Sequence, residues 1–273
     1  MKNLLIFSLF FSLMLIGCYK SENPNKSKEE IINELFTSAE KYQKQDDYKS
    51  AIKTLEKALE IKEDAHLRSC LGSAYKLSCD YENALKNFQM AVENKKDLTS
   101  YDYVITMLGI GDSQFMLSKD EDSLKTYTTL QEEIPLSEFP EDKKVDMILG
   151  MAKARWRNKQ CEEAIELFKL AMSIEDKGFM HVGLSRVQAS MGDYEGAIKS
   201  CLEAISLEDS TRTWVGLGEA KERSGDLKGA LKEYKTALTK KSMGKTSAEV
   251  AFERQEIENR IKRVNSRIKE MEQ

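Results

Sequence analysis

One offset pattern recurs at distant places in this chain. Tyr194, Ala197, Ile198, Cys201, Ala204 and Ile205 repeat, by type and spacing, the set Tyr48, Ala51, Ile52, Leu55, Ala58 and Leu59. Such a pattern marks a repeated supersecondary unit and constrains the fold more than any local motif, because each unit must bury its apolar face against its neighbours. With the small residue of the pattern as reference, the series runs Ala51, Ala84, Ser123, Ala164, Ala197 and Ala230, at spacings of 33, 39, 41, 33 and 33 residues. The 273 residues therefore fix the number of units rather than the size of one central core. Three Pro and 14 Gly in a chain that is 32% charged favour helix almost throughout, and no stretch reads as a strand.

The units differ in how fully they keep the pattern. The second carries Leu71, Gly72 and Tyr75 in its first helix and Ala84, Phe88 and Ala91 in its second. The first has Ala39, Tyr42, Ala51, Leu55 and Ala58, and the sixth has Trp214, Leu217, Gly218, Ala230, Tyr234 and Ala237. The fourth and fifth keep Ala164, Phe168, Ala171 and Ala197, Cys201, Ala204, but show Arg155 and Gln188 in place of the first-helix Tyr. The third is the most divergent, with Gly111, Ser123, Tyr127 and Leu130, followed by Pro135. This pattern resembles the tetratricopeptide repeat, a helix-turn-helix unit of about 34 residues with small residues where its helices touch. The resemblance covers nearly everything from Ile31 to Met243. It implies an all-α, right-handed α-α superhelix of about six repeats, near 32–64, 65–98, 104–137, 145–177, 178–210 and 211–244.

Turn chemistry points the same way. Gly192-Asp193 and Gly225-Asp226 each offer a Gly to end one helix and an Asp to cap the next, and Asp47 and Asp80 do so without the Gly. The extra residues of the longer spacings fall around Asn94 to Tyr101 and Glu132 to Lys143, the latter with Pro135 and Pro140, so both read as loops or kinked insertions. Over 245–273, Val250, Ile257, Ile261, Val264, Ile268 and Met271 form one apolar stripe beside a charged face. It suits a terminal cap over the last repeat, which arrays require. The alternative is self-association with a second copy through that helix.

The N-terminus is different in kind. Lys2, the apolar run Leu4 to Ile16 and then Leu15-Ile16-Gly17-Cys18 resemble a bacterial lipoprotein signal over 1–17, with a run too short to span a bilayer. The resemblance implies cleavage after Gly17 and lipid attachment at Cys18, whose acyl chains would anchor the mature chain. An ordinary secretory signal is the competing reading. Residues 18–30 are polar, with Pro24 and three Lys, and read as a flexible tether behind the lipidated Cys. Tyr19 follows Cys18 where an Asp would favour the inner membrane in similar lipoproteins, so the expectation is a bacterial envelope location, at the outer membrane facing the periplasm.

Little in the chain reads as catalytic. His66 and His181 lie in different repeats, no Gly-rich phosphate loop, metal-ligand spacing or Gly-x-Ser-x-Gly elbow occurs, and neither a catalytic residue, a metal nor a cofactor is expected. Leu108-Gly109-Ile110-Gly111 sits inside an expected helix with no preceding strand. Cys70 and Cys79 are about 13 Å apart along one helix and its end, out of disulfide reach. The formal net charge of -4 with interspersed signs excludes a basic field for nucleic acid.

What remains is a surface. If the family's geometry holds, the second, fifth, ninth and twelfth positions of first helices face a concave groove, which gives Phe115, Lys153, Trp156 with neighbouring Arg157, Phe179 and Arg186. Aromatic and Arg side chains are what binding hot spots are made of. They suit a segment carrying acidic and apolar side chains. The competing reading has Trp156 and Phe179 packing between repeats and the cations merely solvated. Phe36 and Glu40 stand where some relatives use Lys and Asn to clamp a terminal carboxylate, which disfavours capture of a chain terminus. The expected function is thus a membrane-anchored protein-protein interaction scaffold that docks an envelope partner in the groove and assists assembly of an envelope complex. Six repeats on a lipid anchor resemble the pilotin-type lipoproteins that help assemble type IV pilus secretins. The alternative is a transport accessory that binds a small apolar ligand or a substrate-binding protein.

Overall fold

The computed structural model describes residues 26–242 and 247–273, over which thirteen α-helices follow one another with no strand among the described residues. Six helix pairs come first: α1 (Lys28–Lys44) with α2 (Tyr48–Ile61), α3 (Ala65–Leu77) with α4 (Tyr81–Glu93), and α5 (Ser100–Met116) with α6 (Asp120–Glu133). Then come α7 (Glu141–Arg157) with α8 (Cys161–Ile174), α9 (Gly178–Ser190) with α10 (Tyr194–Leu207), and α11 (Thr211–Ser224) with α12 (Leu227–Ala237). α13 (Ser247–Met271) closes the chain. Each odd helix packs on the even helix that follows, each even helix on the next odd one, and α3, α5, α7, α9 and α11 also touch in succession. That stack is the expected α-α superhelix. The signal segment, Cys18 and most of the expected tether lie outside the described residues. The tether ends sooner than expected, because Ser27 caps α1: its hydroxyl accepts from the Glu30 amide while the Glu30 carboxylate accepts from the Ser27 amide.

The short turn inside each pair has one conformation and two chemistries. Its left-handed residue is Gly192 (φ 86°) or Gly225 (φ 90°) in the last two pairs, but Asp46, Cys79, Ser118 and Lys159 (φ 58 to 64°) in the first four. The residue that follows opens the second helix: Asp47, Asp80, Asp193 and Asp226 accept from the amide three positions on. Lys119 and Gln160 hold that place in the third and fourth pairs and make no side-chain cap.

Aromatic side chains of the even helices hold successive repeats together. Phe88 of α4 is fully buried between Gly72 of α3 and Gly109 of α5, where a built Cβ would come to 2.7 and 2.4 Å from the ring. Tyr127 of α6 lies in the same way between Gly111 and Gly150. The glycines of the Leu108-Gly109-Ile110-Gly111 run therefore give ring clearance inside α5. Cys201, at the same repeat position as Phe88, is fully buried and its thiol donates to Ser185 Oγ at 3.0 Å. The cysteines at 70, 79, 161 and 201 are free.

The first insertion holds a 3-10 turn at Lys95–Asp97, and the second sends Phe139 into the core formed by α4 to α7. Lys95 Nζ and Tyr103 Oη both donate to Glu133, each at 2.7 Å, tying the first insertion to the end of α6.

α13 lays Ile257 and Val264 against Leu227, Ala230, Tyr234 and Ala237, with Ile261 and Ile268 beside them. Ile257, Ile261, Val264 and Ile268 of the stripe thus cap the last repeat within the chain, while Met271 at its end is 77% exposed. Polar contacts flank the stripe. Arg260 reaches Glu219 at 2.9 Å, and Glu222 receives Arg263 at 3.0 Å, Arg267 at 2.9 Å and the Tyr234 hydroxyl at 2.8 Å. Burial acts to raise the Glu222 pKa, but Tyr234, Arg263 and Arg267 outweigh it and hold the carboxylate below the ordinary Glu value. A carboxylate depressed in the folded state adds stability that is complete above its unfolded pKa, about 4.5, and is lost as pH falls through the folded one. The gap in denaturation midpoint between the wild type and Glu222→Gln is therefore expected to be open at neutral pH and to narrow as pH falls below about 4.5. An unchanged gap would remove Glu222 from the acid response.

Candidate protein-binding groove

The odd helices line one concave hollow of about 600 Å³, bordered by Phe115 of α5, Lys153 and Trp156 of α7, Phe179 and Arg186 of α9, and Arg212 of α11. Five of the six expected groove residues thus meet on one cavity. Arg157 does not line it. Its guanidinium lies 4.8 Å from the Phe115 ring centre and is held there by Asp120 of α6 at 3.1 Å, so it covers that ring from the rim. The spacing rule put Arg157 in only as the neighbour of Trp156, and one step along a helix turns a side chain by about 100°.

The aromatic residues do pack between repeats, and they also face the groove. Trp156 and Phe179 pack against the core of α7 to α9 and still border the hollow. The Trp156 indole N–H donates to Ser190 Oγ at 3.1 Å, which fixes the ring. Leu77 and Met116, 46% and 51% exposed, add apolar surface at the same hollow.

One repeat position runs along the inner face as Glu40, Ser73, Asp112, Lys153, Arg186 and Glu219, one residue from each pair. Its charges are locally arranged. Asp112 accepts from Lys76 at 2.9 Å and from the Tyr127 hydroxyl at 2.7 Å. Burial pushes its pKa up, yet Lys76, Tyr127 and the nearby Lys153 together hold it below the ordinary Asp value. Arg186 Nε donates to Glu219 at 2.9 Å, and Glu219 also holds Arg260 of the capping helix. Lys153 and Arg212 form no ion pair among the described residues; Arg212 lies over Phe179 with its guanidinium carbon 5.9 Å from the ring centre. Arg212 is absent from the expected set although it stands at the second position of α11, as Phe179 does in α9. The positional rule that found Phe179 finds it too.

The N-terminal part of the inner face is different. A smaller hollow of about 170 Å³ is bordered by Phe36, Glu40, His66, Cys70 and Asp102. His66 Nδ1 faces Asp102 at 3.2 Å, its Nε2 faces the Cys70 thiol at 3.6 Å, and Phe36 lies 5.4 Å from the imidazole. Spacing along the chain carries no sign of this meeting, because Asp102 arrives from the next pair. Burial, with Asp102, Glu40 and Asp64 adding to it, pushes the Cys70 thiol up to about 12. At neutral pH it is protonated, the form that does not act as nucleophile. His181 is buried, as its repeat position suggests, with Asp176 at 2.7 Å and Glu203 at 3.4 Å from its two nitrogens. No group of three or more His, Cys, Asp or Glu able to hold a metal occurs among the described residues, and no helix among them is long and apolar enough to cross a membrane.

A tetratricopeptide-repeat family model matches residues 36–64 and 180–211, the first and fifth repeats. No curated protein matches the sequence. Among solved structures, PilW, a widely conserved type IV pilus biogenesis factor, superposes with a TM-score of 0.64 at 14% identity, over 84% of this chain and 98% of its own. A thermophilic tetratricopeptide-repeat protein of Thermus thermophilus reaches 0.55 at 18% identity, over 71% of this chain and 98% of its own. MamA from Desulfovibrio magneticus RS-1 reaches 0.55 at 13%, over 67% and 98%. At these identities the likeness is one of fold. Two of the six repeats thus match the tetratricopeptide-repeat model, and the six stacked helix pairs give the chain the fold of tetratricopeptide-repeat arrays.

Proposed function

We propose that the protein is a lipid-anchored docking scaffold of a bacterial envelope, which takes a segment of a partner protein into its concave groove and assists assembly of an envelope complex. The observation that carries this reading is the convergence of Phe115, Trp156 and Phe179 with Lys153 and Arg186 on a single hollow. Rigid aromatic rings beside cations are what interfaces use as anchors. The anchor itself rests on the Leu15-Ile16-Gly17-Cys18 resemblance, with the outer membrane favoured by Tyr19. Fixing one partner to a membrane raises its effective concentration there without any new contact. PilW, whose fold this chain shares, is a pilus biogenesis factor, and assembly of an envelope machine is the role this analogy suggests.

The transport-accessory alternative would be favoured by a pore-like cavity and self-association through the last helix, whereas most of the α13 stripe packs on the last repeat of the same chain. The test is retention of envelope proteins from a detergent extract by the immobilised full chain, beside the Trp156→Ala/Arg186→Ala double variant. One partner set kept by the wild type and lost by the double variant is the expected result; equal retention by both would move docking to another face. In cells, Cys18→Ser is expected to shift the protein out of the membrane fraction, and an unchanged distribution would refute the anchor.

A further inference from the structure

Two cations of the groove, Lys153 and Arg212, stand outside the ion pairs of the described residues, and both border the hollow that Phe179 lines. Lys76, Lys153, Arg186 and Arg212 border the hollow against the single carboxylate of Asp112. Asp112 is matched by Lys76, with Lys153 acting on it from beyond ion-pair distance, and Arg186 by Glu219. Lys153 and Arg212 remain, both exposed, and both border the hollow to which Phe179 contributes its half-buried ring. In a chain whose net charge is -4, this is a local reversal of sign next to apolar surface.

Resting on the docking reading above, we infer that the groove selects an acidic-aromatic segment of its protein partner: an Asp or Glu carboxylate received between Lys153 and Arg212, with a neighbouring aromatic or large aliphatic side chain against Phe179 and Trp156. A carboxylate there would find two cations with no ion pair of their own, in a concavity where the surrounding rings reduce hydration and so strengthen the attraction. The apolar neighbour covers ring faces that already carry part of their area in the core and are therefore held rigid, which lowers the entropy cost of docking. A cationic segment would meet like charge at the same place. An anionic bilayer is the poorer occupant, because the two cations lie inside a concave hollow that a flat surface cannot enter.

The inference is tested by selecting a phage-displayed library of random dodecapeptides on the detergent-solubilised full chain and on its Lys153→Glu/Arg212→Glu variant. Both positions are exposed and in no ion pair among the described residues, and matching melting curves would verify that the variant is folded. The expected pool on the wild type is enriched in Asp or Glu next to Phe, Trp, Tyr or Leu, with individual peptides bound about tenfold more weakly by the variant and more weakly at high salt. The variant's own pool should turn basic. A neutral or basic pool on the wild type, the same pool on both proteins, or no enrichment would overturn the inference. Retention on phosphatidylglycerol vesicles that the same variant loses would give the cations to a lipid surface and overturn it as well. If envelope partners are lost by Trp156→Ala/Arg186→Ala yet kept by Lys153→Glu/Arg212→Glu, the acidic anchor fails and the docking scaffold stands. Partners kept by both variants would sink the groove itself.

Discussion

Phe88→Ala is expected to remove about 3–5 kcal/mol of stability, the range for a truncated core aromatic. The ring is fully buried, and its two flanking positions, Gly72 and Gly109, have no side chains that could swing in to fill the space. The backbones of α3 and α5 are held apart by their own contacts, so the cavity should stay largely open. The reciprocal change makes the same point from the other side. A Cβ on Gly109 would lie 2.4 Å from the Phe88 ring, which has little room to move away because it also packs so close to Gly72 that a Cβ built there would come within 2.7 Å. Gly109→Ala should therefore destabilise by about 1–3 kcal/mol through overpacking. Combining Phe88→Leu with Gly109→Ala should cost less than the two single changes added together, since the smaller side chain vacates what the methyl needs. Urea unfolding of the four proteins checks this, and full additivity would mean that the ring and the glycine do not meet. Because repeats are held by nearest neighbours, Phe88→Ala should also split a single unfolding transition into two, as the contact between the second and third pairs weakens.

Gly192→Ala is the control that separates two reasons for a glycine. No atom lies within 4 Å of a Cβ built there, but its φ is 86°, so the whole cost is the left-handed backbone. That distinction marks where the sequence was legible and where it was not. The repeat frame could be read because Ala51, Ala84, Ala164, Ala197 and Ala230 sit where helices touch most closely, and such contact tolerates few residue types. The turns at Gly192 and Gly225 were readable for a different reason, since a left-handed backbone favours glycine. Asp46, Cys79, Ser118 and Lys159 adopt the same conformation without glycine, and only the frame reveals them. In the groove, positional arithmetic reached Phe179 and Trp156, and applied evenly it would have reached Arg212. It could not foresee which charges cancel. Asp112 with Lys76, and Arg186 with Glu219, are contacts between successive pairs, set by the twist of the array rather than by spacing along the chain. The meeting of His66 with Asp102 is of the same kind.

Val264→Asp is expected to detach the capping helix. The side chain is fully buried among Leu227, Ala230, Tyr234, Ala237 and Ile257, and Arg260, Arg263 and Arg267 of the same helix are already paired with Glu219 and Glu222. Leaving a buried charge unpaired costs about 3–5 kcal/mol, and α13 can escape that cost by leaving the array. Departure forfeits the contacts of Ile257, Ile261 and Ile268 and the ion pairs of Glu219 and Glu222, so the last repeat loses apolar cover and charge balance together. In limited trypsin digestion the Arg260, Arg263 and Arg267 peptide bonds should become the first cut, while in the wild type they resist. Exposure of Leu227 and Tyr234 should then drive concentration-dependent self-association, visible as earlier elution in size-exclusion chromatography. Phe252→Asp is the matched control, since Phe252 lies on the same helix but is 70% exposed, and it should leave digestion and elution unchanged. If Val264→Asp behaves like Phe252→Asp, the stripe does not hold α13 on the array, and the apolar face of that helix becomes free for a second copy of the chain.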